Sequence, residues 1–185
     1  NQSGVISTEA VRISPSTGVT LQGLEITSFY GHESAAAVTH CVHLSVGTKN
    51  MVDNIRLVDW SQEGILLEDV QYSTVSNISA VDNAGTSWSA VQVSGAANKY
   101  NVINNITTAG ISIANGTEHV TLSNFVVDQS TQRGINISSS AGNIQIMNGK
   151  VIGALEAINV FAAGKIDIVN FECISCTTGI AKDFS

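Results

Sequence analysis

Seven times along this chain an apolar alternation slips out of phase at the same kind of position. Aligned on Gly23, Asn54, Asn77, Asn105, Asn124, Asn148 and Asn170, the residue two places before is always apolar: Leu21, Val52, Val75, Ile103, Leu122, Ile146 and Ile168. One place after stand Leu24, Ile55, Ile78, Ile106, Phe125, Gly149 and Phe171, and three places after Ile26, Leu57, Ala80, Thr108, Val127, Val151 and Cys173. A strand alternates its faces with a period of two, so this pattern requires a bend at the aligned residue. Asn tolerates the left-handed backbone that such a bend needs, and Gly adopts it freely. Stacked one above another, the amides are expected to form a hydrogen-bonded Asn ladder.

A second motif follows each corner, a small residue and then two inward apolar positions. It reads Cys41-Val42-His43-Leu44, Gly64-Ile65-Leu66-Leu67, Ala90-Val91-Gln92-Val93, Gly110-Ile111-Ser112-Ile113, Gly134-Ile135-Asn136-Ile137, Ala157-Ile158-Asn159-Val160 and Gly179-Ile180. Ala10-Val11-Arg12-Ile13 fits as a preceding half rung. From small residue to next corner the spacing is 13 to 15 residues, whereas from corner to next small residue it runs from 5 to 18. One connection is fixed and the other is a loop of free length. Short strands repeating at this period describe a solenoid. The expected fold is all-β, a right-handed parallel β-helix of three parallel sheets and about seven rungs over a single domain, 1–185. A β-sandwich would not keep one corner phase over seven turns.

Composition narrows the partners. Only 12% of residues are charged and the net charge is −7 with eight Lys and Arg, which argues against a nucleic-acid partner. No apolar run is long enough to span a bilayer. Three cysteines make no disulfide framework. Cys41 takes the slot where other rungs place Gly or Ala, and Cys173 and Cys176 form a lone C-x-x-C read as free buried thiols. Five N-glycosylation sequons begin at Asn1, Asn77, Asn105, Asn115 and Asn136; Asn77 and Asn105 are expected as buried corner residues, where no glycan fits.

The Asn corner with its flanking pattern, from Ala10 to about Phe184, resembles the pectate-lyase-like superfamily of right-handed β-helices, which includes phage tailspikes. The resemblance implies that the corner joins the second and third sheets and that a substrate groove runs along the outer face of the first. With no amphipathic capping helix visible at either end, the segment is expected to be a fragment of a longer chain, or to have its ends covered by other subunits.

Departures from the repeat mark candidate chemistry. The loops of the first three rungs hold Phe29, Tyr30, His32, Glu33, Asp59, Trp60, Glu63, Asp82 and Trp88, while later loops are plain. Aromatic faces beside carboxylates suit sugar rings. Asp59 and Asp82 each lie five residues after a corner Asn, so on rungs ~4.8 Å apart their carboxylates stack as neighbours. Like charges at that range split into one acid and one base. Such a pair matches a retaining glycosidase, with carboxyls about 5 to 5.5 Å apart, and Glu63 or Glu68 across the groove would serve the wider inverting geometry. In the structural reading, which the residues alone favour, Asp ends a strand and bonds loop amides. Tyr30, His32, His43, Trp60, Trp88 and Gln92 are the candidate substrate-binding residues. His43 faces outward on the first sheet, in register with Leu66, Gln92, Ser112, Asn136 and Asn159. His40, Cys41 and His43 invite a metal, but a zinc site wants three or four converging ligands and no others are visible, so no metal and no cofactor is expected.

Within the superfamily, calcium-dependent pectate lyases need clustered acids and an Arg base, polygalacturonases an Asp-Asp and a Gly-His-Gly, and pectin esterases a paired Asp and Arg. This chain has only Arg12, Arg56 and Arg133, no Asp-Asp, and Gly31-His32-Glu33 as the nearest approach to the last tripeptide of polygalacturonases. Phage tailspikes and capsule depolymerases share no active-site motif, and their polar, low-charge rungs are most similar. That resemblance implies a homotrimer on a virion tail or outside the cell, binding and cleaving bacterial surface polysaccharide as a glycoside hydrolase or lyase. The alternative is a non-catalytic structural β-helix of an adhesin, autotransporter passenger or virion appendage.

Overall fold

The computed structural model describes residues 9–27, 40–58, 60, 63–81, 89–128, 133–138, 140–161 and 164–183. Among these the regular structure is entirely β, and no helix is long and apolar enough to cross a membrane. One sheet orders β1 (Glu9–Ile13), β4 (His40–Thr48), β6 (Glu63–Gln71), β8 (Val91–Ser94), β10 (Ile111–Ile113), β12 (Arg133–Ile137), β14 (Glu156–Phe161) and β16 (Thr178–Asp183), with β2 (Ser16–Thr17) joined to β4. The other has seven strands, β3 (Thr20–Thr27), β5 (Met51–Val58), β7 (Thr74–Val81), β9 (Val102–Thr108), β11 (Thr121–Val127), β13 (Ile144–Ile152) and β15 (Ile166–Ile174). Beyond β1, which pairs β4, neighbours are two strands apart in sequence, and all pair in parallel, as a solenoid requires.

Every strand of the second sheet contains one corner residue, and each lies in the left-handed region: Gly23 at φ 70°, Asn54 at 53°, Asn77 at 56°, Asn105 at 55°, Asn124 at 51°, Asn148 at 53° and Asn170 at 52°. Two successive side chains face outward there, as at Asp53 and Asn54, before Ile55 and Leu57 return to the core. The corner amides are therefore exposed, which corrects the expectation that Asn77 and Asn105 are buried. The ladder runs along the outside. Asn105 Nδ2 donates to Asn77 Oδ1 at 2.6 Å and Asn170 Nδ2 to Asn148 Oδ1 at 3.0 Å, while Asp53 and Asn104, one residue before a corner, intercept Asn77 and Asn124.

The third face is narrower than a full sheet. It consists of the pairs Ser16–Gly47, Thr17–Thr48, Gly47–Val70 and Thr48–Gln71, continued as single bridges Gln71–Lys99, Lys99–Glu118 and Glu118–Gly142. Two further left-handed corners confine it: Val46 and Asp69 on one side, and Lys49, Tyr72, Tyr100 and His119 on the other. Only two residues separate Val46 from Lys49, or Asp69 from Tyr72, too few for a strand of ordinary length. Polar side chains inside this face satisfy buried backbone groups. The Ser73 N–H donates to Asn101 Oδ1 at 2.9 Å and Asn101 Nδ2 to the Val70 carbonyl at 2.9 Å, while the Val70 N–H donates to Asn98 Oδ1 at 3.1 Å. Left unpaired, each such group would cost about 1 to 3 kcal/mol. From Val120 onward the Asn101 column turns apolar.

Inside, apolar columns stack rung on rung. One position breaks the pattern for a reason of volume. Gly149 pairs with Phe125 on one side and Phe171 on the other, and a Cβ on Gly149 would fall within the Phe125 ring. The two Phe rings meet across the gap at 6.4 Å. Cys41 is fully buried, and burial pushes its thiol up to about 12. Cys173 occupies an inward slot on β15, the edge strand of its sheet, and is exposed there, where a buried thiol was expected.

Gly149→Val is expected to destabilise the protein by about 1 to 3 kcal/mol through overpacking, and adding Phe125→Leu should recover part of that loss in chemical denaturation. A second expectation concerns Asp53, whose carboxylate accepts from Ser76 Oγ at 2.7 Å, Asn77 Nδ2 at 2.6 Å and Gln22 Nε2 at 3.1 Å. These bonds, the Ser76 hydroxyl foremost, hold its carboxyl below the usual Asp value. A depressed folded-state pKa contributes stability above the unfolded-state value and loses it as pH falls through the folded one. The stability gap between wild type and Asp53→Asn should therefore be present at neutral pH and close in acid.

Candidate functional site

Where strands stack in register, each outward position becomes a column of side chains. On the first sheet the residue just before each small residue forms one such column, Glu9 beside His40 beside Glu63. Three residues on lies a second, Arg12, His43, Leu66, Gln92, Ser112, Asn136 and Asn159, in the register the repeat implies. The two columns converge at β4 and β6, where the outward side chains are covered: His40 is 8% exposed, His43 5% and Glu63 4%.

Carboxylates surround the two histidines. His40 Nε2 lies 2.7 Å from Glu63 Oε2, and the Gln92 amide, turned so that its nitrogen faces the acid, donates to the same Glu63 carboxylate. His43 Nδ1 lies 3.1 Å from Glu9 Oε1, and its Nε2 lies 3.1 Å from Glu68 Oε2. Ser45 Oγ also donates to Glu68, at 3.4 Å. The imidazole rings sit 5.0 Å apart at 41°. Buried carboxylates are costly unless paired, and here each buried acid has an imidazole beside it. One donor atom each of Glu9, His40 and His43 lies within 4.8 Å of the other two.

The structure thus brings four of the sequence candidates together, His43, Glu63, Glu68 and Gln92. His43 faces outward but is too buried to floor an open groove. Glu63 is likewise enclosed, and only Glu68 keeps a half-exposed side chain, at 47%. Trp60 departs from expectation: it is fully buried in the hydrophobic core, so it offers no face to a ligand. Asp59, Asp82, Tyr30, His32 and Trp88 lie outside the described residues. Sequence reasoning missed Glu9. Its signal was its place before Ala10, matching His40 before Cys41 and Glu63 before Gly64.

A second arrangement was also missed. The left-handed corner after the third face carries Tyr72, Tyr100 and His119 in one column. Tyr72 and Tyr100 stack with centroids 4.9 Å apart, and Tyr100 and His119 at 4.7 Å, both pairs 11° from parallel. The next member is Asn143, so the ring stack stops at His119. There a groove of about 460 Å³ opens, lined by Tyr100, His119, Thr121, Asn143, Gln145, Lys165 and Asp167 among others. Lys165 Nζ and Asp167 Oδ2 form an exposed pair, 2.7 Å apart, within that lining.

No curated protein matches the chain. Among solved structures it is similar to two of PfbA, a surface adhesin of Streptococcus pneumoniae. One has 9% identity, covering 92% of this chain and 72% of that one at a TM-score of 0.27. The other has 10% identity, covering 97% and 80% at a TM-score of 0.26. The family model of the right handed beta helix region matches residues 6–174. With parallel strands stacked in register over that span, the chain belongs to the right-handed β-helix family.

Proposed function

We propose that the chain is an extracellular β-helix that binds polysaccharide, and that a sugar segment lies in the groove where the ring stack ends. The observation that supports this reading is the meeting of His119, the last ring of the stack, with the hydrogen-bonding side chains of Asn143, Gln145, Lys165 and Asp167. A sugar ring offers an apolar C–H face and a rim of hydroxyls, and this lining pairs an aromatic face with donors and acceptors. The middle ring is covered on both sides, so only the end rings Tyr72 and His119 present a face, and His119 is the one at the groove. The site differs from the groove expected on the first sheet, whose histidines and Glu63 are enclosed. The source of the polysaccharide, a bacterial surface or a phage's target, is part of the proposal.

Cleavage of the polysaccharide, as in tailspike-type depolymerases, is the second reading. Glu68 favours it, a half-exposed carboxylate 3.1 Å from a buried imidazole, which is the pairing a general acid or base uses.

The test is binding to a panel of bacterial surface polysaccharides, scored together with reducing ends and the absorbance of unsaturated products. His119→Ala should weaken binding about five- to tenfold, the loss of roughly 1 kcal/mol for one aromatic contact. Tyr72→Ala, at the far end of the stack, should change it little. If His119→Ala and Tyr72→Ala bind alike, the groove is not the site. Product release by the wild type that stops in Glu68→Gln, with binding retained, would establish the second reading.

A further inference from the structure

We propose that Glu9, His40 and His43 form a binding site for a divalent transition metal, with zinc as the reference ion. The site lies on the first sheet, apart from the groove above, and does not depend on that reading.

The hydrogen bonding of the two rings carries the proposal. His40 has Nε2 at 2.7 Å from the Glu63 carboxylate, while its Nδ1 is buried and has no partner among the described residues. A neutral imidazole that donates from Nε2 keeps a lone pair on Nδ1, and here that lone pair faces nothing that satisfies it. A carboxylate on one ring nitrogen and an open lone pair on the other is the arrangement of metal-bound histidines, where the outer acid fixes tautomer and ring orientation.

His43 is placed differently. Its two ring nitrogens both face carboxylates, Glu9 at Nδ1 and Glu68 at Nε2, each at 3.1 Å. An imidazolium would donate to both carboxylates, whereas a neutral ring has one N–H to share between them. A divalent ion between Nδ1 and Glu9 Oε1 takes the place of that second proton: it accepts a lone pair from each, and the Nε2–H stays on Glu68. Both histidines then offer Nδ1 inward and hold Nε2–H on an outer Glu.

Two imidazole nitrogens and a carboxylate oxygen form a donor set that zinc takes in sites with a fourth position open, and other first-row ions accept it too. Ligand atoms about 2.1 Å from one zinc stand about 3.4 Å apart. The Glu9–His43 separation already meets this, and one ring nitrogen of His40 lies within 4.8 Å of the ligand atoms of the other two. Arg12 is one of the groups that compete for Glu9, at 3.4 Å from a mostly exposed side chain. Bound there, the ion ties β1 to β4.

The experiment is isothermal titration of the full chain with zinc, and optical titration with cobalt(II), in a Cys173→Ser/Cys176→Ser background that removes the C-x-x-C thiols. The expected result is one ion per chain, a tetrahedral cobalt spectrum without thiolate charge transfer, and a raised Tm. Affinity should fall 100-fold or more in His40→Ala and in Glu9→Gln. It should fall 10- to 100-fold in Glu63→Gln, which leaves every ligand in place. Circular dichroism checks that each variant is folded, and Glu63→Gln keeps the test decisive should a ligand variant unfold. Absence of binding, or equal binding by wild type, Glu63→Gln and a His40→Ala/His43→Ala variant, overturns the proposal.

Discussion

The left-handed residue at each corner is the constraint on which the rest of the structure depends. It places two consecutive side chains outside, so the alternation restarts in the opposite phase and the chain turns without leaving its sheet. Because each corner recurs once per rung, strands two apart in sequence meet in register, as Phe125 meets Gly149 and Ile106. Everything else in the molecule follows as columns, inward ones that pack the core and outward ones that bring chemistry together.

Packing and function pull on these columns differently. Inside, volume decides, and Gly149 gives up its side chain because Phe125 has filled the space. Outside, most columns face water and their residue types are free. The Glu9, His40 and Glu63 column, with His43 beside it, is covered and yet strongly polar. Burying acids and imidazoles costs stability unless they satisfy one another, so local rule-breaking of this kind marks a place where something other than folding set the residues. The Tyr72, Tyr100 and His119 stack is a milder case, in which exposed aromatic residues cover one another's faces and leave one ring at the edge of a polar groove.

Much of the fold was legible in the sequence because one corner is marked by Asn, a residue that tolerates the left-handed region. The other two corners mix types, with Val46, Lys49, Tyr72 and Tyr100 beside Asp69, His119 and Asn143, so no one residue type marks them in the local pattern. Without them the third face reads as a full sheet, and the aromatic residues read as unrelated. The depth of the corner amides was misjudged for a related reason: polarity at a bend does not say which way the bend turns. At the candidate site, the outward column of His43, Leu66 and Gln92 was readable from spacing. Glu9 was passed over because its half rung has no corner before it to align on.

The sequence by itself determined the class of fold, the position of one corner in each of seven rungs, and the register of the first sheet. These are local and periodic properties, set by side-chain volume and backbone preference residue by residue. Only the tertiary structure decided that the two histidines are enclosed among three glutamates, that Trp60 lies in the core, and that three rings stack beside a groove. Those outcomes depend on which side chains from separate rungs compete for the same space and the same hydrogen bonds, and no single stretch of sequence holds that information.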